Sequence, residues 1–107
     1  MSTVLQERLE KIVRGLEKYG ADKAILFGSA ARGDVDRWSD VDLIVIKQTD
    51  RRFLDRLKDV YEAIEPDFAL DVLVYTPEEF ERMKEEERPF LMHALEGAKV
   101  IYEKRAT

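Results

Sequence analysis

Residues 25–46 read ILFGSAARGDVDRWSDVDLIVI, and this stretch decides the fold. A first apolar run ends at Gly28 and Ser29, ten residues follow, and a second apolar run opens with Asp40 and Asp42. Short apolar runs bounded by glycine or polar residues predict β-strands. The second run is apolar on both faces beyond Asp42, which is typical of a strand in the middle of a sheet. The two acidic residues therefore stand at the start of a buried strand.

Length and composition indicate one folded domain that spans residues 1–107. The chain has 107 residues, of which 45% are hydrophobic and 38% charged, which suits one core and is too short for two comfortable domains. No apolar run approaches the roughly 20 residues that cross a bilayer, and the N-terminus lacks the pattern of a signal peptide. There are no cysteines, which excludes disulfides and thiolate metal sites. We therefore expect no membrane association and a cytoplasmic location.

The charge balance bears on the kind of partner. The formal net charge is −5, whereas proteins that grip nucleic acid over a wide surface usually present a basic face to the phosphates. A small basic cluster leaves a local contact open: Arg51, Arg52, Arg56 and Lys58. The composition favours a small-molecule or protein partner, and we expect no extended nucleic-acid binding.

Hydrophobic periodicity divides the chain into helices and strands. We predict helices over residues 3–19 and 54–64, from 77 onward, and from 89 to a stop at Gly97; we predict strands over 23–28, 41–47, 68–76 and 99–103. Residues 76–79 read TPEE, which predicts a capping box with proline at the first helical position. The predicted fold class is α/β (α+β), a small mixed sheet of about four strands flanked by helices.

The acidic pair suggests a metal site. Asp40 and Asp42 are two residues apart, so a strand would place both on one face while Val41 and Leu43 point into the core. Adjacent carboxylates repel each other, and a divalent cation such as Mg²⁺ removes that cost and takes its other ligands from water and substrate phosphates. Asp71 interrupts the third predicted strand. If that strand lies beside the second, Asp71 completes a three-carboxylate cluster able to hold two metal ions.

The glycine-serine pair that precedes the acids suits a phosphate-bearing ligand. Gly28 allows a tight backbone turn and a close approach by the ligand. Ser29 offers a hydroxyl and a backbone N–H at the predicted start of a helical turn, a place where phosphate oxygens bind.

The acids also have a structural interpretation. Asp40 and Asp42 could form a solvated strand entrance, and Asp71 could be a buried partner for an arginine. The same choice applies to three other side chains. Arg32 could contact a ligand or be an ordinary surface arginine, and Trp38 could stack on a base, contact a partner or pack within its loop. His93, the single histidine, is expected on a helix surface or in a satisfied contact.

The segment GSAARGDVDRWSDVDLIV resembles the signature of nucleotidyltransferases with a DNA polymerase β-like palm. It is more closely similar to the minimal nucleotidyltransferase (MNT) domains, which carry Gly-Ser, ten residues and then Asp-x-Asp. The resemblance extends to the leading helix, the acidic third strand and the ending ALEGAKVIYE, and so covers nearly the whole chain.

The resemblance implies a role for each motif residue. Gly28 and Ser29 would hold the β- and γ-phosphates of ATP or another nucleoside triphosphate, and Arg32 is a further candidate for a triphosphate contact. The catalytic and metal-binding set would be Asp40, Asp42 and Asp71. The first two acids would bind two Mg²⁺ ions; the third would bind the catalytic ion and help deprotonate the attacking hydroxyl. The reaction would transfer a nucleoside monophosphate by in-line attack on the α-phosphorus and release pyrophosphate.

The resemblance also implies a partner, because MNT domains commonly pair with a HEPN-type RNA-cleaving toxin. The expected function is that of an antitoxin that transfers AMP to a tyrosine of the toxin. Two alternatives stay open: a non-catalytic antitoxin that neutralises its partner by binding, and a small-molecule nucleotidyltransferase of the aminoglycoside type. A homodimer or a hetero-oligomer is compatible with the apolar strands.

Overall fold

The structure is a computed structural model that describes residues 3–33 and 40–104. The helices are α1 (Thr3–Tyr19), α2 (Phe53–Ile64), α3 (Pro77–Glu85) and α4 (Pro89–Leu95), with a 3-10 helix over Gly28–Arg32. The strands are β1 (Lys23–Phe27), β2 (Val41–Ile46), β3 (Leu70–Tyr75) and β4 (Lys99–Glu103). Every predicted helix and strand is present, and β3 begins two residues later than predicted.

The four strands form one mixed sheet in the order β3-β2-β1-β4. Strand β1 runs antiparallel to both of its neighbours, β2 and β4, whereas β2 and β3 are parallel. The α/β fold class with a small mixed sheet is therefore confirmed, and β2 lies inside the sheet as its two-sided apolar pattern predicted.

Helices α1 and α2 cover one face of the sheet. From β2, Val41, Leu43 and Val45 point to this face and are fully buried. The two helices pack closely because Gly15 has no side chain: a Cβ atom there would lie 2.6 Å from Ile64 Cα. This face holds the larger core of the domain.

Helices α3 and α4 cover part of the opposite face, over a smaller core. That core is formed by six buried side chains: Ile25, Ile44, Ile46, Phe80, Leu91 and Ala94. Because side chains alternate along a strand, Asp42 lies on the same face as Ile44 and Ile46. The acidic start of β2 is thus on the less covered side of the sheet.

A buried arginine joins α2, β3 and α3. Arg56 is 7% exposed, and its guanidinium donates to the backbone oxygens of Arg51 and Val74 and to both carboxylate oxygens of Glu79. Glu79 also closes the predicted capping box with Thr76. None of the helices in the described part of the chain is long and apolar enough to cross a membrane.

Candidate functional site

Two of the predicted acids lie side by side in the sheet. Asp42 of β2 and Asp71 of β3 are paired positions in the parallel ladder, and their carboxyl groups lie within hydrogen-bonding reach of each other. The sequence-based condition for a carboxylate cluster, that the third strand lies beside the second, is therefore met. A hydrogen bond between two carboxyl groups requires a proton on one of them.

The environment of Asp42 favours that proton. Burial is the main reason that the pKa of Asp42 lies above its ordinary value, and the negative charges of Asp71 and Asp40 raise it further, as does the hydrogen bond to Asp71. A positive charge at this point would reverse the effect, because it stabilises the ionised form. The electrostatics of the pair thus favour binding of either a proton or a cation.

Gly28 lies against the Asp42 carboxylate. Phe27, the last residue of β1, is the antiparallel partner of Asp42, so the following residue passes directly over the acid. Gly28 has φ +74°, and a Cβ atom there would lie 2.5 Å from Asp42 Oδ2. Both the backbone conformation and the close approach require glycine at this position.

The 3-10 helix that begins at Gly28 displays the other predicted nucleotide-binding residues. Ala30 and Ala31 are each 2% exposed and anchor it to the core. Ser29 is half-buried and Arg32 is exposed. Among the residues that the structure describes, no hydrogen bond or ion pair engages the Arg32 guanidinium, which leaves it available to an anion.

The acids provide only part of a metal coordination shell. Within residues 3–33 and 40–104, no three His, Cys, Asp or Glu side chains are placed so that they could hold a metal ion together. Asp40 precedes β2 and is exposed; its charge reaches Asp42, but its side chain does not complete a trio. Since Mg²⁺ commonly uses one or two carboxylates and takes its remaining ligands from water and phosphate, the oxygen donors of Asp42 and Asp71 fit this ion.

The sequence did not assign the residues of α4 to the site. Phe90 and His93 line a cavity of about 210 Å³ that Gly28 and Arg32 also border. The spacing of apolar residues around them is that of an ordinary amphipathic helix. Nothing in the local sequence indicates that they lie near the glycine turn. Trp38 lies outside the described residues, so its predicted alternatives remain predictions.

Comparison with known proteins identifies the family. Residues 7–96 match the family described as "Nucleotidyltransferase domain". The chain is also 32% identical to the protein of Methanocaldococcus jannaschii named "Putative protein adenylyltransferase MJ1305", over 97% of this chain and 73% of that protein.

Two solved structures share the fold. A "putative nucleotidyltransferase" from Sulfolobus solfataricus superposes with a TM-score of 0.57 at 22% identity, covering 73% of this chain and 75% of its own. A toxin–antitoxin structure with AMP-PNP gives a TM-score of 0.58 at 17% identity, covering 91% of this chain and 74% of its own. The structural likeness and the family match over most of the sequence agree: this chain belongs to the nucleotidyltransferase domain family.

Proposed function

We propose that this protein transfers a nucleoside monophosphate, with ATP as the donor and AMP as the transferred group, to a hydroxyl group of another protein. One observation carries the proposal: the paired carboxyl groups of Asp42 and Asp71, with Gly28 in contact with the first of them. Family membership supports the transfer reaction, and the name of the relative from M. jannaschii supports a protein as the acceptor.

The 3-10 helix would hold the triphosphate. Gly28 lets the turn pass against the Asp42 carboxylate, because a side chain at this position would collide with it, so phosphates bound along the turn would lie beside the acids. Ser29 supplies a hydroxyl and a backbone N–H, and Arg32 supplies a guanidinium that can bind phosphate through two parallel hydrogen bonds. These three residues would bind the β- and γ-phosphates and leave the α-phosphate toward the carboxylates.

The acids would hold the metal and direct the attack. Asp42 and Asp71 would hold Mg²⁺, and the exposed Asp40 side chain would have to turn toward them to serve a second ion; the bound metal would supply charge stabilisation of the entering and leaving oxygens. The hydroxyl oxygen of the acceptor forms a bond with the α-phosphorus, the bond from that phosphorus to the bridging oxygen breaks, and pyrophosphate leaves. Asp71 is more exposed than Asp42. An incoming acceptor would therefore reach Asp71 first, and Asp71 would receive the proton of its hydroxyl group.

The acceptor we propose is a tyrosine of a cognate HEPN-type toxin, which would make this protein an antitoxin of the cytoplasm. The fold-level likeness to a toxin–antitoxin structure is consistent with such a partner. The sequence pattern of the MNT domains, Gly-Ser followed after ten residues by Asp-x-Asp, supports the same pairing.

The test is transfer of label to the protein encoded by the adjacent gene. The purified chain is incubated with that protein, Mg²⁺ and ATP labelled at the α-phosphate, with γ-labelled ATP in a parallel reaction. We expect label from α-labelled ATP only, and its loss in Asp42→Asn. Asp67→Asn is the matched control, because the Asp67 side chain is 81% exposed and forms a surface ion pair with Lys11.

The outcomes separate transfer from simple binding. Absence of label on the neighbouring protein and on any other protein of a cell extract would contradict the proposed activity. If wild-type protein transfers AMP but Asp42→Asn still protects cells from the neighbouring protein, neutralisation is by complex formation and the antitoxin role does not depend on catalysis.

A further inference from the structure

An apolar groove runs along one edge of the domain, between α1 and the edge strand β4. It measures about 460 Å³, and three of the side chains that line it are apolar: Leu9 and Val13 of α1 and Ile101 of β4. All three are half-buried, so each presents part of its side chain to solvent. We call this surface the α1–β4 groove. It lies at the sheet edge opposite β3 and on the face opposite Asp42, and is therefore separate from the candidate active site.

The edge strand beneath the groove is poorly suited to pairing with a further strand. Strand β4 has only five residues, and its register with β1 shifts between Ala24 and Ile25, so that Ile101 has no partner on β1. Short and bulged edge strands are typical of sheets that resist the addition of another strand. The α1–β4 groove is therefore better suited to side chains packed from a helix.

Two charged side chains flank the apolar ones. Glu10 and Arg14 of α1 also line the α1–β4 groove. Within residues 3–33 and 40–104, neither side chain takes part in an ion pair or a hydrogen bond. The two residues are four positions apart, which is about 6 Å along a helix. A carboxylate and a guanidinium placed in this way beside an apolar strip form a surface that is complementary to its own copy turned by 180°.

A two-fold axis perpendicular to α1 would place two copies of this helix antiparallel. Residues before the axis in one copy then face residues after it in the other, and every contact occurs twice. With the axis midway between positions 10 and 14, Glu10 of each copy faces Arg14 of the other. Leu9 and Val13 of both copies then fill the space between the helices. The arrangement pairs all four charges and removes the apolar strips from water.

We propose that the α1–β4 groove is the interface of a two-fold symmetric homodimer, formed by α1 packed antiparallel on α1 of a second copy, with the Glu10–Arg14 contacts setting the register. The proposed dimer is independent of the proposed function. Because the groove and Asp42 lie on opposite faces of the sheet, both candidate active sites of the dimer stay open to nucleotide and acceptor.

Charge reversal tests for a reciprocal contact. Sedimentation velocity over a concentration series measures the dissociation constant of the dimer for wild type, Glu10→Arg and Arg14→Glu. Each reversal creates two like-charged contacts per dimer, so we expect the dissociation constant to rise at least about tenfold. In an equimolar mixture of the two variants, every contact between unlike chains again joins opposite charges. We therefore expect the mixture to dimerise about as tightly as wild type.

A second pair of variants tests the apolar strip. Val13→Asp places two carboxylates in the middle of the interface, where they would lose water, so we expect it to weaken the dimer at least about tenfold as well. Val4→Asp is the matched control: Val4 belongs to the same helix, is 36% exposed and lies outside the α1–β4 groove. We expect Val4→Asp to dimerise as wild type does.

The results can overturn the interface in three ways. A wild-type chain that stays monomeric at every concentration would refute the dimer. Charge variants that dimerise as tightly as wild type, or a mixture that dimerises no more tightly than the separate variants, would show that Glu10 and Arg14 do not face each other. These outcomes are distinct from a failure of the proposed function, because Asp42→Asn should dimerise as wild type does whether or not the protein transfers AMP.

Discussion

Replacement of Gly28 by alanine tests the site with one methyl group. Gly28 has φ +74°, and the added Cβ would lie 2.5 Å from Asp42 Oδ2. The substitution therefore has two separable effects: strain in the backbone of the variant and displacement of the carboxylate.

Each effect has a magnitude. A side chain in the left-handed region costs about 1–2 kcal/mol of folding free energy. Ordinary van der Waals contact begins at 3.4 Å, so the Asp42 carboxylate must move by about 1 Å. Because the carboxylate is the far end of a rotatable side chain, this movement adds little to the stability cost. Misplacement of a reacting group by about 1 Å can lower a rate on the order of 100-fold, so activity should fall far more than stability.

Gly97 supplies the matched control. It has φ +72°, and a Cβ atom built on it meets nothing within 4 Å. Gly97→Ala should therefore lose the same 1–2 kcal/mol or so and keep its activity. Urea unfolding measures the free energy of unfolding of each variant. Transfer of label from α-labelled ATP measures the activity, and calorimetry measures the affinity for Mg²⁺.

The comparison between the two variants has a clear refuting result. If Gly28→Ala transfers AMP and binds Mg²⁺ as well as Gly97→Ala does, the close approach of Gly28 to Asp42 has no part in catalysis. If the two variants differ in stability by several kcal/mol, the carboxylate cannot rotate away and the estimate of a local displacement is wrong.

Three further substitutions test the packing and electrostatics. Asp42→Asn should raise the free energy of unfolding in EDTA at pH 7 but not at pH 3. Burial and neighbouring acids raise the pKa of Asp42, so the contribution of Asp42 to stability falls as pH rises through that pKa. Equal stabilities of variant and wild type at pH 7 would contradict this reasoning. Gly15→Ala should lower the melting temperature, since overpacking against Ile64 Cα at 2.6 Å costs about 1–3 kcal/mol and the gain in helix propensity is at most about 1 kcal/mol. Arg56→Met should lower the free energy of unfolding by about 1.5–3 kcal/mol at pH 7 and by less at pH 3. Hydrogen bonding to Arg56 lowers the pKa of Glu79, so the stabilisation from this pair is lost as pH falls through that pKa. Urea unfolding at both pH values measures the two free energies.

Local sequence was sufficient to predict the elements of the fold but not their pairing. The capping box at Thr76 and the stop at Gly20, which has φ +81°, depend on a few neighbouring residues and could be identified from spacing alone. The antiparallel pairing of β4 with β1 joins Lys23 to Glu103, and nothing local specifies such a distant partner. The strand predicted from residue 68 starts at Leu70; Phe68 precedes it, packs against the larger core and lies under the Arg8 guanidinium.

The same distinction between local and distant contacts applies to the candidate site. Gly28 and the Asp42–Asp71 pair could be predicted, because one depends on a tight turn and the other on two neighbouring strands. The contribution of α4 could not, because Phe90 reaches the glycine turn only through the packing of α4 on the smaller core. The roles of these residues in catalysis, and the single domain over 1–107, remain predictions.

The register of β2 and β3 explains why the acids keep their unfavourable proximity. Like charges at paired positions of a ladder destabilise a sheet, and Asp42 and Asp71 are such a pair. A slip by one residue would separate them, but it would also turn the core residues of the strand that moves, Leu43 of β2 or Val72 of β3, to the opposite face. The apolar side chains thus fix the register, and the repulsion can be relieved only by a proton or a cation between the carboxylates. The core of the sheet therefore does more than stabilise the domain: it holds two acids at a spacing that they would not adopt alone.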